Sequence, residues 1–139
     1  MLLTKECDYG IRIIRALSCG SKKKIEEIAD EEHMPQKFAY KIIKKLIYTG
    51  LVRSVRGRTG GYTLNKPLNE FSLLDIVIAI DDERYIKDCL RPGFVCKYKD
   101  SPDKACTVHL EIANIQALVI SALSLKKMDE ILQISKPLV

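Results

Sequence analysis

The chain has 139 residues, 47% of them hydrophobic, and a net charge of +5, enough for one compact domain or a small domain with an appended element. Lys5 and Glu6 follow within three residues of Leu3 and no run of eighteen apolar residues occurs, so the expectation is a cytoplasmic protein with neither a secretory leader nor a membrane span. Five cysteines, an odd number, then point to metal or redox chemistry rather than to a disulfide framework.

The charge is uneven. Residues 1–67 carry fourteen Lys or Arg against seven acids, and between His33 and Asn69 there are eight basic residues and no acid. A solvated face usually mixes signs, so a one-sign field of this length predicts a polyanionic partner such as nucleic acid.

Ile11, Ile13, Ile14 and Leu17 recur at helical spacing, with Thr4 placed to cap the start and Gly20 to end the run, which predicts a first helix. A second, short amphipathic helix covers about Lys24 to Glu32 through Ile25, Ile28 and Ala29. Pro35 suits the first turn of a third helix, whose stripe is Phe38, Ile42, Ile43, Leu46 and Ile47 and which stops at Thr49-Gly50. LVRSVRGRTGGYTLNKP then reads as two strands about a glycine-rich turn, with Arg56 and Arg58 at its tip. Ser72 and Asp75 make a capping box, with Phe71 placed to staple onto Ile76, at the head of a fourth helix. Residues 83–106, broken by Pro92, Gly93 and Pro102, form a long irregular segment of the kind that is usually either functional or disordered. From Thr107 to about Leu125 the pattern is helical and apolar almost all round, which predicts a second copy of the chain as its cover. A last short helix, Leu125 to Gln133, packs back through Met128, Ile131 and Leu132.

Three helices followed by a basic hairpin are the layout of a winged helix-turn-helix, so the expected fold class is mainly α with a small β-hairpin wing and a long C-terminal dimerisation helix. The third helix enters a major groove and offers Gln36, Lys37, Tyr40, Lys41 and Lys44 to bases and phosphates. The wing, with Arg56, Arg58, Thr59 and Gly60, reaches the flanking minor groove, where the negative potential favours arginine. The bland alternative, a structural hairpin with solvated arginines, does not account for eight basic residues without one acid.

CLRPGFVCKYKDSPDKACTVH holds Cys89, Cys96, Cys106 and His109 at Cys-x6-Cys-x9-Cys-x2-His spacing. Three thiols and an imidazole satisfy a tetrahedral zinc or an iron–sulfur cluster, and a thiol redox switch is the remaining reading. The lack of a Cys-x2-Cys knuckle lowers zinc. The chain also lacks a Cys-x2-Cys redox pair, a His-Glu-x2-His helix and a glycine-rich nucleotide loop, so an enzyme is not expected and no residue is assigned a catalytic role.

CDYGIRII, IEEIADEEHMPQKFAYKIIKKLIYTGLV, VRGRTGGYTL and FSLLDIVIAID together resemble the Rrf2 family of bacterial transcription regulators, over nearly the whole chain. The resemblance implies a dimeric winged-helix repressor or activator on a palindromic double-stranded DNA operator. It implies a DNA-binding unit at 1–82, a cofactor loop at 83–106 and a dimer helix with a short last helix at 107–139. Arg56 falls on the family's wing arginine, and Pro35, Gln36, Lys37, Tyr40 and Lys41 on the start of its recognition helix. Cluster-binding members imply Cys89, Cys96 and Cys106 as ligands and a function in sensing redox state, nitric oxide or iron–sulfur status. For the fourth ligand two family patterns compete: His109, as in regulators holding a 2Fe–2S cluster, and Asp8 of the partner subunit, as in nitric-oxide sensors holding a 4Fe–4S cluster. Both residues are present, and the choice stays open. The alternative is the same DNA-binding regulator working without a cluster, by cysteine redox or zinc. Of the remaining residues, Cys19 is expected to pack as a small hydrophobe, Cys7 to approach the partner's cluster loop, and His33 to lie at the surface.

Overall fold

The computed structural model describes residues 3–81, 84–99 and 106–133. Its elements are helices α1 (Lys5–Leu17), α2 (Ile25–Glu31) and α3 (Gln36–Tyr48), strands β1 (Val52–Val55) and β2 (Gly61–Leu64), and helix α4 (Leu73–Ile80). Two short 3₁₀ turns follow, Asp88–Leu90 and Lys97–Lys99, and then α5 (Thr107–Leu125) and α6 (Met128–Leu132). The molecule is mainly helical with one antiparallel hairpin, as the periodicity requires. The expected break at Pro102 and the boundary between residues 82 and 83 lie outside the described residues.

Local chemistry sets the helix ends. Thr4 caps α1 by accepting the Cys7 N–H at 3.3 Å. Ser72 and Asp75 close the reciprocal box at the head of α4. Gly50 stops α3 with φ of +78°, a left-handed value that costs glycine little. The core is built where the stripes of α1, α3 and α4 meet, around Ile13, Ile14, Leu17, Ile42, Ile43, Leu46 and Ile76, all fully buried. Gly10 lets α1 and α4 approach: a Cβ there would sit 2.8 Å from Cγ1 of Ile80, itself buried. Phe38, expected in the stripe, is instead 44% exposed. Ala39 takes the core position one residue on, and the Phe38 ring lies 6.0 Å from that of Tyr9 at the rim.

β1 and β2 pair Val52 with Leu64 and Val55 with Gly61. Lys23 exchanges two backbone bonds with Tyr62, at 3.0 and 2.8 Å, so the chain entering α2 adds a third, one-residue rung to the wing. The end of α2 is clamped to α1 by the nearly buried Glu32, whose carboxylate takes the guanidinium of Arg15 in a two-pronged ion pair while its carbonyl accepts from Arg12.

α5 divides its apolar surface between two faces. Val119 and Leu123 pack against the core, and on the same side Gln116 Oε1 accepts the Ile86 N–H at 3.0 Å. Val108, Ile115, Leu118 and Leu125 form a second, exposed stripe beside that face, at spacings of seven, three and seven residues, the period of a helix-on-helix seam. α5 is long and apolar enough to cross a membrane by length and composition alone, a test that core helices of soluble proteins also pass. Gln116 and the two-faced pattern are those of a helix packed on protein. α6 folds back on α4: the Met128 N–H donates to the Phe71 carbonyl at 3.0 Å and the Met128 side chain is fully buried. Met128→Ala is expected to cost about 3 kcal/mol through the cavity it leaves, read as a lower urea midpoint in equilibrium unfolding; an unchanged midpoint would mean α6 adds nothing to the core.

Candidate nucleic-acid interface and cysteine cavity

With Ala39, Ile42, Ile43 and Leu46 turned inward, the helical period puts Lys37, Lys41, Lys44 and Tyr48 on the outward side of α3, all exposed. Each expected reader is held differently. Lys44 lies over the Tyr40 ring, its ammonium 4.3 Å from the centroid. Gln36 reaches Glu26 at 3.4 Å, so the helix start is tied to α2. Lys41 is paired with Glu6 of α1 at 2.5 Å, and Lys45 with the same carboxylate at 2.9 Å. Donation from Lys41, and then from Lys45, holds the Glu6 carboxyl below the usual carboxylate range. Tyr40 also stands near Tyr62 of the wing, whose phenol is pushed up by burial first and by Tyr40 and Glu26 second.

The wing tip is built by backbone sterics. Gly57 has φ of +114°, and a Cβ on Gly60 would run into the Val55 carbonyl, so RGRTGG folds into a turn that leaves Arg56, Arg58 and Thr59 exposed. Between the wing and the start of α2 lies an open groove of about 370 Å³, lined by Lys24, Ser54, Arg56 and Gly60 among others. Lys24 was not expected there, because nothing in the sequence spacing links residue 24 to residue 56.

The cysteine segment closes a second concavity, of about 500 Å³, at the head of α5. Cys89 on the first 3₁₀ turn, Cys96 before the second, Cys106 at the N-cap of α5 and His109 one turn along all line it, together with Lys87, Phe94 and Ile112. Cys106 Sγ accepts the His109 N–H at 3.3 Å. Among the described residues no three His, Cys, Asp or Glu side chains stand together closely enough to hold a metal ion. The four donors thus share one cavity without converging on a point.

The first-helix cysteines depart from expectation. Cys7 is fully buried in the core and takes a hydrogen bond from the Thr4 hydroxyl at 3.3 Å, so its thiol does not face outward. Cys19 lies beyond the end of α1, exposed, where the Ser21 hydroxyl 3.1 Å from its sulfur, with help from Lys23, holds the thiol below its ordinary range. Asp8 is exposed in the first turn of α1 and paired with Arg12 at 3.0 Å. His33 is exposed, as expected, and turns the chain between α2 and α3 with φ of +51°.

A family model described as an iron-dependent transcriptional regulator, Rrf2, matches residues 3–134. The chain belongs to the Rrf2 family. A protein named aau3 from Rhizobium meliloti is 35% identical over 104 residues, covering 73% of this chain and 68% of its own. An rrf2-like HTH-type transcriptional regulator of Rhodobacter capsulatus is 28% identical over 137 residues, 91% of each chain. Among solved structures, CymR, the global cysteine regulator of B. subtilis, superposes with a TM-score of 0.77 at 18% identity, covering 98% of this chain and 99% of CymR. IscR from T. potens gives 0.74 at 17% identity, covering 98% of this chain and 89% of IscR. These likenesses establish the Rrf2-type winged-helix fold, and the family is one of transcription regulators, not enzymes.

Proposed function

We propose that this Rrf2 regulator is a cytoplasmic homodimer that binds a palindromic DNA operator and reads the cell's redox, nitric-oxide or iron–sulfur status through an iron–sulfur cluster. The observation that carries the reading is the shared cavity of Cys89, Cys96, Cys106 and His109. A single zinc ion needs its donors gathered about one point at roughly 2.0–2.3 Å. The donors here line a concavity of about 500 Å³, with room for a group of several metal and sulfide atoms. The cluster would be held by Cys89, Cys96 and Cys106, with His109 or Asp8 of the partner subunit as the fourth ligand; when bound it supplies one-electron and ligand-exchange chemistry. Phe94 and Ile112 shield the site with apolar surface, Lys87 would offset the charge of a bound cluster, and the His109 N–H supports the Cys106 sulfur.

On this reading residues 1–82 are the DNA-binding unit, 83–106 the sensing segment and 107–139 the dimerisation element. Lys37, Lys41 and Lys44, with Gln36 and Tyr40, face the major groove, and Arg56, Arg58, Thr59 and Gly60 the minor groove and its phosphates. Two copies joined along the outer face of α5 set the spacing of two reading helices to two half-sites. Ordering of the sensing segment at the head of α5 biases that spacing, so the cofactor's state selects between dimer geometries.

Protein purified without oxygen and reconstituted with iron and sulfide is expected to show visible absorption, which replacing Cys89, Cys96 and Cys106 together by alanine removes. A Mössbauer spectrum then distinguishes 2Fe–2S from 4Fe–4S. A colourless wild-type protein under those conditions refutes the cluster. A second reading, thiol redox without a metal, draws on the separation of the donors; it predicts colourless protein whose operator affinity changes on treatment with a disulfide oxidant.

A further inference from the structure

α4 ends without a left-handed cap: Asp81 is extended, with φ of −139°, so the last carbonyls of the helix need partners from elsewhere. One comes from the reading helix. Lys45 Nζ donates to the Ile80 carbonyl at 2.8 Å and to Glu6 Oε2 at 2.9 Å, while Glu6 Oε1 takes Lys41 at 2.5 Å. An ammonium at a helix C-terminus also meets the negative end of the helix dipole. Ile80 is the last residue before the chain departs toward Cys89, and the same stretch is fastened again at Ile86, whose N–H donates to Gln116 of α5. One half-exposed lysine therefore joins three things: the root of the cysteine segment, the first turn of α1, and the helix that carries Lys37, Lys41 and Lys44.

We infer that Glu6 and Lys45 form a latch through which the state of the cysteine-bearing segment reaches the reading helix, with Lys45 as the positioning residue that couples the two. The inference rests on the proposed sensing role of that segment and names its route. A segment that is ordered holds the last turn of α4 in place and keeps the Ile80 carbonyl on Lys45. When the segment loosens, that turn frays and the acceptor is lost. Lys45 is then left to Glu6 alone, and the grip of Glu6 on Lys41 is redistributed at the edge of the DNA-facing side. The route is short and direct, because α1, α3 and α4 already meet there, with Gly10 against Ile80. It is a chain of charge-assisted hydrogen bonds rather than a diffuse path through packing.

Hydrogen exchange on the full-length protein, before and after reconstitution with iron and sulfide without oxygen, tests this. In the wild type, reconstitution is expected to slow exchange in residues 84–99 and also in Lys41–Thr49. In Lys45→Gln the first effect should persist and the second vanish, and Lys45→Arg, which keeps the positive charge as well as a donor, should restore it. Glu6→Gln, a milder change, should reduce the α3 response without touching that of the cysteine segment. An α3 response that survives in Lys45→Gln, or that is missing in a wild type whose cysteine segment does respond, overturns the latch. If the cysteine segment itself does not respond in the wild type, the cluster reading fails, and the latch is judged on metal-free protein. There the Asp81 amide, bonded to Val77 at 2.9 Å, should exchange about three-fold faster in Lys45→Gln, and an equal rate overturns it.

Discussion

Replacing Arg56 and Arg58 together by alanine is expected to weaken operator binding about a hundred-fold and to lower the salt dependence of log K by about two. Both guanidinium groups sit exposed at the tip of a hairpin whose glycines fix the turn, so their removal alters charge and hydrogen-bond donors without disturbing the core. Two lost phosphate or groove contacts account for the slope, because each neutralised phosphate releases about 0.9 of a counterion from duplex DNA. The loss of affinity that remains after the counterion contribution is removed measures what the arginines add through hydrogen bonds and groove contacts. Fluorescence anisotropy over a range of salt concentrations reads both quantities. A double variant that binds like the wild type would show that the wing does not read DNA and that α3 does so alone.

Leu118→Asp should convert the protein to a monomer and lower its apparent affinity for a palindromic site by more than about a hundred-fold. Leu118 is 71% exposed in the isolated chain and lies on the outer face of α5 with Val108, Ile115 and Leu125. In the proposed dimer the same leucine is buried in a two-fold seam, where each substitution brings one copy of an unpaired carboxylate into apolar surroundings. The isolated fold is spared, because the face of α5 that packs on the core carries Val119 and Leu123 instead. Sedimentation of the variant at micromolar concentration checks the assembly, and its circular dichroism checks the fold. A variant that remains dimeric would place the seam on another surface.

Part of this protein is written locally. The first four helices follow from residues three and four apart, and their ends from short-range chemistry: Thr4 with Cys7, Ser72 with Asp75, Gly50 after Thr49. The wing follows from RGRTGG, because only glycine tolerates the backbone that the turn needs. The gathering of three cysteines and a histidine in one segment is legible in the same way, from residue types that a core does not use at that density.

The finer errors have a common cause. Phe38 and Ala39 both lie close to the apolar arc of α3, and a periodic pattern cannot say which of two adjacent residues meets a neighbour; the position of α1 decides for Ala39 and leaves Phe38 on Tyr9. Cys7 and Cys19 also lie opposite to what the sequence spacing suggests. Both belong to the first helical stretch, but α1 ends at Leu17, so Cys19 leaves the helix for solvent while Cys7 lies beneath Thr4 in the core.

The sequence by itself determined the elements, the winged-helix order, the basic field and the set of thiols, because each depends on spacings of a few residues or on composition. Only the tertiary structure decided which side chains meet across long separations. Glu6 finds Lys41 thirty-five residues away, Lys45 finds the Ile80 carbonyl at the same separation, and Cys89, Cys96, Cys106 and His109 come to line one cavity. No local pattern encodes such meetings; the first two arise when three amphipathic helices bury their stripes together and carry their polar residues to the shared rim, and the third where the 3₁₀ turns close on the head of α5.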